Sequence, residues 1–473
     1  MKFTTDIVIG LEIHVQLDTK TKLFCGCATK GSEEPNTRTC PACLGFPGSK
    51  PVLNKRAVDY ALRLCLALGC EISPKLIFSR KSYFYPDLAK NYQISQYEIP
   101  LGLSGELRLS DWKMVGITRV HMEEDPASLI HTKSTGASAY VLVDYNRSGI
   151  PLCEVVTEPD MASPDQARDF MKRLMTVLSY LDIFDEQTCV IKADANISIK
   201  ESGYVRSEIK NITGFKEIER ALFYEVERQK IAVRSGEKLM QDTRGWDAEK
   251  GMTFHMRAKE TEADYGYILD PDLVVTEIPS EWLKQVKASM PELAEDKIRK
   301  YVETHKIAQL DAEVIAQERK LAELFEKVAK EVDPVLAAKW MRRELVRVMS
   351  FNKITFHDLL VDEKHLIELL SMVEKKEITE QVAQKIMEEL VVKPFSPRQY
   401  VEKHGLKRVA ETGALLKVCE EVIKENKNVV EEYLAGKEKS FQFLVGQVMR
   451  KTKGAASPQE VNELLRKLLK SKS

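Results

Sequence analysis

Residues 191–200 alternate without a break: Ile191, Ala193, Ala195, Ile197 and Ile199 point one way, and Lys192, Asp194, Asn196, Ser198 and Lys200 the other. A side-chain period of two is the mark of a strand buried on one face only. Val8 to Leu17 repeats the pattern, with Leu11, Ile13, Val15 and Leu17 opposed to Glu12, His14 and Gln16. After a turn at 201–204, Val205 to Ile212 returns with Arg206, Glu208 and Lys210 on one face, so 191–212 reads as a hairpin. A slip of one residue would drive these charged rows into the core, which pins the register. The sheet so predicted has one apolar face and one polar face. Solvent alone can explain such a polar face. The Glu12 and His14 pair, projecting the same way, also offers groups for a metal or a phosphate.

A second stretch is costlier. In His121-Met122-Glu123-Glu124-Asp125, three consecutive carboxylates end a segment that alternates like a strand through Val115, Ile117, Arg119 and His121. Crowded carboxylates repel, and stay charged in a folded chain only where a cation or solvent compensates them. Leu152 to Glu158 then reads as a mostly apolar strand carrying Glu154, a carboxylate that needs a partner if it is buried. Together with Glu12, His14 and the hairpin's Asp194, Asn196 and Lys210, these residues suit Mg²⁺ and phosphate. The chain lacks the Gly-rich phosphate loops of P-loop and dinucleotide-binding enzymes, so ATP is not expected to be held in those ways.

Cysteine usage points to a second, separate centre. Of nine cysteines, Cys25, Cys27, Cys40 and Cys43 form a C-x-C…C-x₂-C array with a twelve-residue gap. Four thiolates at this spacing suit one tetrahedral zinc with no open position, hence a structural ion. The intervening 31–36 has no core pattern and reads as the loop the metal closes. Metal-type rather than disulfide-type spacing predicts a reducing, cytoplasmic setting. The first residues run straight into a strand pattern, with no secretory leader, and no stretch reaches the roughly 20 apolar residues of a membrane span.

At 473 residues the chain has room for two or three domains, and its formal net charge of −1 excludes global steering toward nucleic acid. Amphipathic helices are predicted over 54–68 and, behind the cap Ser163-Pro164-Asp165-Gln166, over 164–181. After about residue 290, Glu/Lys-rich helical patterns replace strand patterns. Lys393-Pro394-Phe395-Ser396-Pro397 reads as a linker, and 401–473 holds 15 Lys and Arg against 10 Asp and Glu. Arg450, Lys451 and Lys453 form a basic patch there, at a helix end that favours cations in any case. The expected architecture is α+β: a large mixed-sheet domain over 1–290 with a zinc loop at 25–43, an all-helical domain over 291–395, and a small helical tail over 396–473.

Several ordered motifs go further. Gly10-Leu11-Glu12-Ile13-His14-Val15, Tyr83-Phe84-Tyr85-Pro86-Asp87, Tyr92-Gln93-Ile94-Ser95-Gln96, His121-Met122-Glu123-Glu124-Asp125, Asp144-Tyr145-Asn146-Arg147-Ser148-Gly149, Lys192-Ala193-Asp194-Ala195-Asn196 and Phe443-Leu444-Val445-Gly446-Gln447-Val448-Met449 closely resemble the B subunits of aspartyl/glutamyl-tRNA amidotransferases, from about residue 7 to about 470. The resemblance implies ATP-dependent phosphorylation of the side-chain carboxylate of a misacylated Asp-tRNA(Asn) or Glu-tRNA(Gln). Ammonia from a glutaminase partner, the A subunit of such enzymes, then arrives through a channel and displaces the phosphate. Their C subunit makes the assembly a heterotrimer. The resemblance further implies that Glu12, His14, Glu124 and Glu154 form the Mg²⁺ and catalytic cluster with Glu123 beside them, and that Asp194, Asn196, Lys210 and Asn211 wall the same pocket. Lys81 and Lys90 match positions near the channel exit, where a Glu124–Lys pair can gate. The four cysteines match a zinc-bearing branch, the front domain the family's cradle, and the tail a YqeY-like module that docks tRNA. One departure is Asp264 to Asp272, which lacks the arginine common in this motif. The alternatives are the related E subunit, for whose inserted domain the chain has no room between 275 and 291, and a non-catalytic tRNA-binding scaffold.

Overall fold

The computed structural model describes residues 6–131, 140–258, 266–408, 412–434 and 437–470. The chain divides into two compact units, Met1–Leu293 and Ala294–Ser473. The front unit is built on a nine-stranded sheet. Its strands lie in the order Met252–Ala258, Asp242–Asp247, Ser207–Ile212, Ile191–Ile199, Ile7–Gln16, Pro151–Thr157, Met114–Glu124, Gly102–Arg108 and Glu71–Ile72. Neighbours are antiparallel except Ser207–Ile212 beside Asp242–Asp247, which are parallel and joined by the helix Phe215–Arg234. A parallel pair needs such a crossover, whereas the hairpin from Ile191 to Ile212 needs only a short turn.

One face of this sheet is the core. Leu11, Ile13, Val15, Ala193, Ala195, Ile197, Cys153, Val155, Val120 and Met122 are all buried on it, packed against helices Lys55–Ala67, Pro164–Leu181 and Phe215–Arg234. Phe170 and Leu174 of the second helix are fully covered, each contributing roughly 2 kcal/mol by burial. That helix starts where its cap residues predict: Ser163 Oγ accepts from the Gln166 N–H at 3.2 Å. The reciprocal bond differs from the expected box, because Gln166 Oε1 accepts from Ala162 N–H rather than from Ser163 N–H. The helix Lys55–Ala67 is opened by Asn54, whose side chain accepts from Arg56 N–H at 2.9 Å.

A smaller sheet, Gly266–Leu269, Ser79–Ser82 and Tyr92–Ser95, belongs to the same unit. The altered segment at 264–272 enters it in part; Asp264 and Tyr265 lie outside the described residues. Its remaining acids have a defined task. Arg80 donates to Asp270 Oδ2 at 2.8 Å and to Asp272 Oδ2 at 2.9 Å, tying this strand to the turn that follows Leu269.

Every described element of the second unit is helical, from Ala294–His305 to Pro458–Lys470. Trp340 is buried within it. Near the C-terminus Leu415, Cys419, Phe441, Leu444, Val448 and Leu465 form a separate apolar cluster. The fold is therefore α+β, a mixed sheet followed by helices. Among the described residues no helix is long and apolar enough to cross a membrane.

Candidate active site and four-cysteine centre

The polar face of the sheet gathers its charged residues by register. Glu154 lies opposite His14 on one side and His121 on the other, while His14 lies opposite Lys192 and Glu12 opposite Asp194. Directly opposed strand residues stand within contact of each other. His14 Nε2 is accordingly 3.4 Å from Glu154 Oε2 and 3.5 Å from Glu123 Oε1. His121 Nε2 is 3.6 Å from the same Glu154 oxygen, and Arg119 Nη2 is 3.7 Å from Glu154 Oε1. Glu12, His14 and Glu154 converge closely enough to hold one ion, as do His121, Glu123 and Glu154. Glu154 belongs to both groups.

Electrostatics separates the roles of these residues. Burial works against the charge on Glu154, yet His121, His14 and Arg119 hold its carboxyl below the usual range. Burial lowers His121 to about 4, so near neutral pH the cations facing Glu154 are His14 and Arg119. Burial also opposes a charged His14, but its hydrogen bond to Glu154 and the charges of Glu123, Glu154 and Glu12 raise it to about 10. The repulsion of Glu154, then burial, lifts Glu12 to about 7. Burial lifts Glu123 to about 7 as well. One strong acid, two carboxyls poised near neutrality and one imidazolium thus share a single surface. His121 Nδ1 is buried with no hydrogen-bond partner among the described residues.

Next along the sheet, Lys210 Nζ reaches Asp194 Oδ2 at 3.0 Å and Glu208 Oε1 at 3.1 Å. Burial costs this ammonium, but Asp194, Glu208 and Glu12 together raise its pKa. Asn196 follows on the strand of Asp194, its Oδ1 buried with no partner among the described residues. Asn211 lies in Ser207–Ile212, but its side chain is outside the described ones. Lys81, in Ser79–Ser82, is near enough for its charge to act on both His121 and Glu123.

Glu124 stands elsewhere, which corrects its expected place in the metal cluster. Adjacent residues of a strand point to opposite faces, so Glu124 shares the side of Met122 and not of His121 and Glu123. There it accepts from Lys90 Nζ at 2.5 Å and from the Ile94 N–H at 2.9 Å. His121 and Arg119, not singled out in the sequence as site residues, take part instead. The period of two that marks the strand contains the signal for both, and for Glu123.

The cysteines form the second centre. Cys25, Cys27, Cys40 and Cys43 bring their sulfurs within 4.8 Å of one another. A tetrahedral zinc with bonds of about 2.3 Å needs edges of about 3.8 Å, so the four fit that ion after slight contraction. The Cys43 sulfur accepts from the Cys40 N–H at 3.2 Å. The Cys25 thiol and nearby Lys22 help to hold Cys43 down at about 4, against its burial. Lys22 is completely buried, with Nζ 3.7 Å from Cys43 Sγ and 3.2 Å from the Tyr145 carbonyl oxygen. A buried ammonium offsets part of the negative charge that four thiolates leave around a divalent ion.

In the second unit, Arg450 and Lys451 end the helix Glu438–Lys451, and Lys453 follows at a φ of 52°. Lys451 Nζ is already engaged, 2.6 Å from Glu425 and 3.3 Å from Glu421.

Comparison with known proteins agrees with the motifs. Residues 7–284 match the family model described as "GatB/GatE catalytic domain", and 323–469 match the "GatB domain". A Moorella thermoacetica protein is 41% identical over 98% of this chain and 99% of its own length. One from Geotalea daltonii is 43% identical over 98% of each chain, and one from Thermodesulfovibrio yellowstonii is 41% identical over 98% of this chain and 99% of its own length. All three are named as the B subunit of an aspartyl/glutamyl-tRNA(Asn/Gln) amidotransferase. The family resemblance carried by the sequence motifs is borne out: the chain belongs to the GatB/GatE family.

Proposed function

We propose that this chain is the phosphorylating and amidating component of a glutamine-dependent amidotransferase, a carbon–nitrogen ligase acting on misacylated Asp-tRNA(Asn) or Glu-tRNA(Gln). The observation that carries this reading is the convergence of Glu12, His14, Glu123 and Glu154 with His121 on one sheet face, ringed by Arg119, Lys81 and Lys210. The family match and the relatives' names support the substrate class. The reaction joins two anions. The side-chain carboxylate of the charged amino acid attacks the γ-phosphorus of ATP, the bond to ADP breaks, and an acyl phosphate results. Ammonia then attacks the carbonyl carbon, phosphate leaves, and the amide remains.

Such a transfer depends on positioning and on neutralising charge. Glu12, Glu154 and His14, with Glu123 and His121 beside them, are the residues to hold Mg²⁺, which when bound neutralises phosphate oxygens. Two carboxylate oxygens suit that hard cation, and its arrival would displace the proton of His14. Lys81, Arg119 and Lys210 attract and orient the phosphates and the substrate carboxylate. Asp194, Asn196 and Asn211 would complete the pocket wall.

On the opposite side of the same strand, the Lys90–Glu124 pair would gate ammonia arriving from the glutaminase partner. The four cysteines would hold a structural zinc that closes their loop. The glutaminase and a third chain, the A and C subunits of such enzymes, would complete a cytoplasmic heterotrimer. The tail, with its own apolar cluster and Arg450, Lys451 and Lys453, would dock tRNA by phosphate contacts, as a module over 396–473 behind a helical domain over 291–395 and a cradle over 1–290.

The acyl phosphate makes the reading testable. With ATP, misacylated tRNA and hydroxylamine, but no ammonia source, the activated carboxylate should be captured as a hydroxamate on the tRNA-linked amino acid. ATP should be consumed in equal amount. Finding no hydroxamate, with tRNA still bound, would leave the scaffold reading.

A further inference from the structure

We propose that the four-cysteine loop is a metal-dependent clamp that positions the Lys90–Glu124 pair through two contacts, Gly45 against Lys90 and Gly149 between Lys22 and Glu124. The proposal rests on the zinc assignment above but not on the chemistry at Glu154. A single small cavity is lined by both sets of residues: Lys22, Cys43 and Gly45 from the loop side, and Lys90, Glu124 and Gly149 from the other.

The first contact is steric. Gly45 lies two residues past Cys43 and closes the turn Pro41–Leu44 with a φ of 70°, its N–H donating to Ala42 O at 3.2 Å. A side chain there would be strained, and it would also collide: a β-carbon at Gly45 would lie 2.4 Å from Lys90 Cγ and 3.1 Å from Lys90 Cα. The cysteine turn therefore presses its bare backbone directly onto Lys90. Lys90 in turn donates to Glu124 at 2.5 Å.

The second contact approaches the carboxylate from behind. Gly149, at a φ of 86°, stands where a β-carbon would meet Lys22 Cδ at 3.5 Å, Cys43 Cβ at 3.7 Å and Glu124 Oε2 at 3.8 Å. Its backbone continues the link, accepting from Leu23 N–H at 2.8 Å and donating to Asp125 O at 2.8 Å. The buried Lys22 ammonium is thus fixed between Cys43 and the Tyr145 carbonyl, and its stem meets Gly149, whose backbone is bonded to the end of the Glu124 strand. Residues 31–37 of the loop are exposed, and none of 25–49 belongs to the main apolar core. Hydrogen bonds of Asn36 with Asp144 and Tyr145, and of Arg38 N–H with Asn146, tie the tip of the loop to residues 143–146. The metal cross-link would fasten the cysteine turn 40–45 that meets Lys90, so its loss should release Lys90 and Glu124 first.

The Ile94 N–H, bonded to Glu124 Oε1 at 2.9 Å, reports directly on that release. Full-length protein with its zinc content measured is compared with the same protein stripped by a chelator, using amide hydrogen exchange. Peptides covering 88–96 and 120–126 should exchange about tenfold faster without zinc, while 191–199 stays unchanged. Gly45→Ala should speed the same two peptides with zinc still bound. Lys22→Met, which keeps the stem and removes the charge, should speed 120–126 and serves if Gly45→Ala does not fold. Equal exchange with and without zinc would overturn the clamp. So would uniform acceleration across the front unit, which would make the metal a support for the whole fold. A protein that never carried zinc would be recognised at the metal measurement and would overturn the zinc assignment together with the clamp.

Discussion

Glu154→Gln is expected to abolish transamidation, lowering kcat by about a thousandfold, while leaving the fold and tRNA binding intact. Glu154 is the one carboxylate common to both ion-holding groups, and the one kept firmly ionised among its neighbours. The amide keeps the size of the side chain but cannot supply the negative charge that faces the His14 imidazolium or, in its place, a divalent cation. Removing a buried charge often unfolds a protein because its partner is stranded. Here a replacement exists. Glu12 is held at about 7 chiefly by the repulsion of Glu154, so in the variant it should ionise more readily and face His14 in its stead. Thermal unfolding should therefore shift little. Steady-state kinetics with tRNA-binding titrations checks both halves of this expectation. Retention of wild-type turnover would remove the polar sheet face as the reacting site.

Stripping the metal from the cysteines, or replacing Cys40 and Cys43 with serine, should open the loop without unfolding the sheet. The four sulfurs converge from two short segments whose intervening residues are exposed, and the main core includes Leu23 and Phe24 but nothing from 25–49. Ordering such a loop costs chain entropy that no apolar burial offsets; hydrogen bonds of Asn36 and Arg38 to residues 144–146 offset part of it, and metal–sulfur bonds would supply the rest. Losing roughly 3 kcal/mol of local stability corresponds to cleavage faster by about a hundredfold in limited proteolysis at 31–39. The remaining front unit should resist the protease as before. Equal resistance of the loop with and without metal would show that the cysteines are not a structural centre.

The sheet was readable because period-two alternation is a physical requirement of a strand covered on one face. The pattern at 191–200 and 8–17 predicts both the buried row through Ile13 and Ala195 and the polar row through His14 and Asp194, and the structure pairs these strands. The helix Pro164–Leu181 was legible for the same reason, from its cap and apolar stripe. The expectation that Glu124 joins Glu12 and Glu154 ignored that alternation, since Glu123 and Glu124 cannot point to one face. His121 shares the phase of Arg119 on the strand Met114–Glu124, and that phase is its sequence signal. Other features carry no local signal. Lys22 reads as an ordinary surface cation, and only its contacts with Cys43 and with Tyr145, 123 residues away, make it a buried counter-charge. Likewise nothing near Arg80 announces that Asp270 and Asp272 will hold it.

The central claim is that this chain spends ATP on a carboxylate attached to tRNA. The direct measurement is ADP release by the chain assembled with its glutaminase and third-chain partners in the presence of glutamine. Asp-tRNA(Asn), Glu-tRNA(Gln) and a correctly charged tRNA would be supplied in turn. ADP release should be matched one for one by amide formation, with a misacylated tRNA and not with the correctly charged one; the preferred aminoacyl group would name the substrate. ADP release that ignores the charge on the tRNA, or none with any of the three, would contradict the claim.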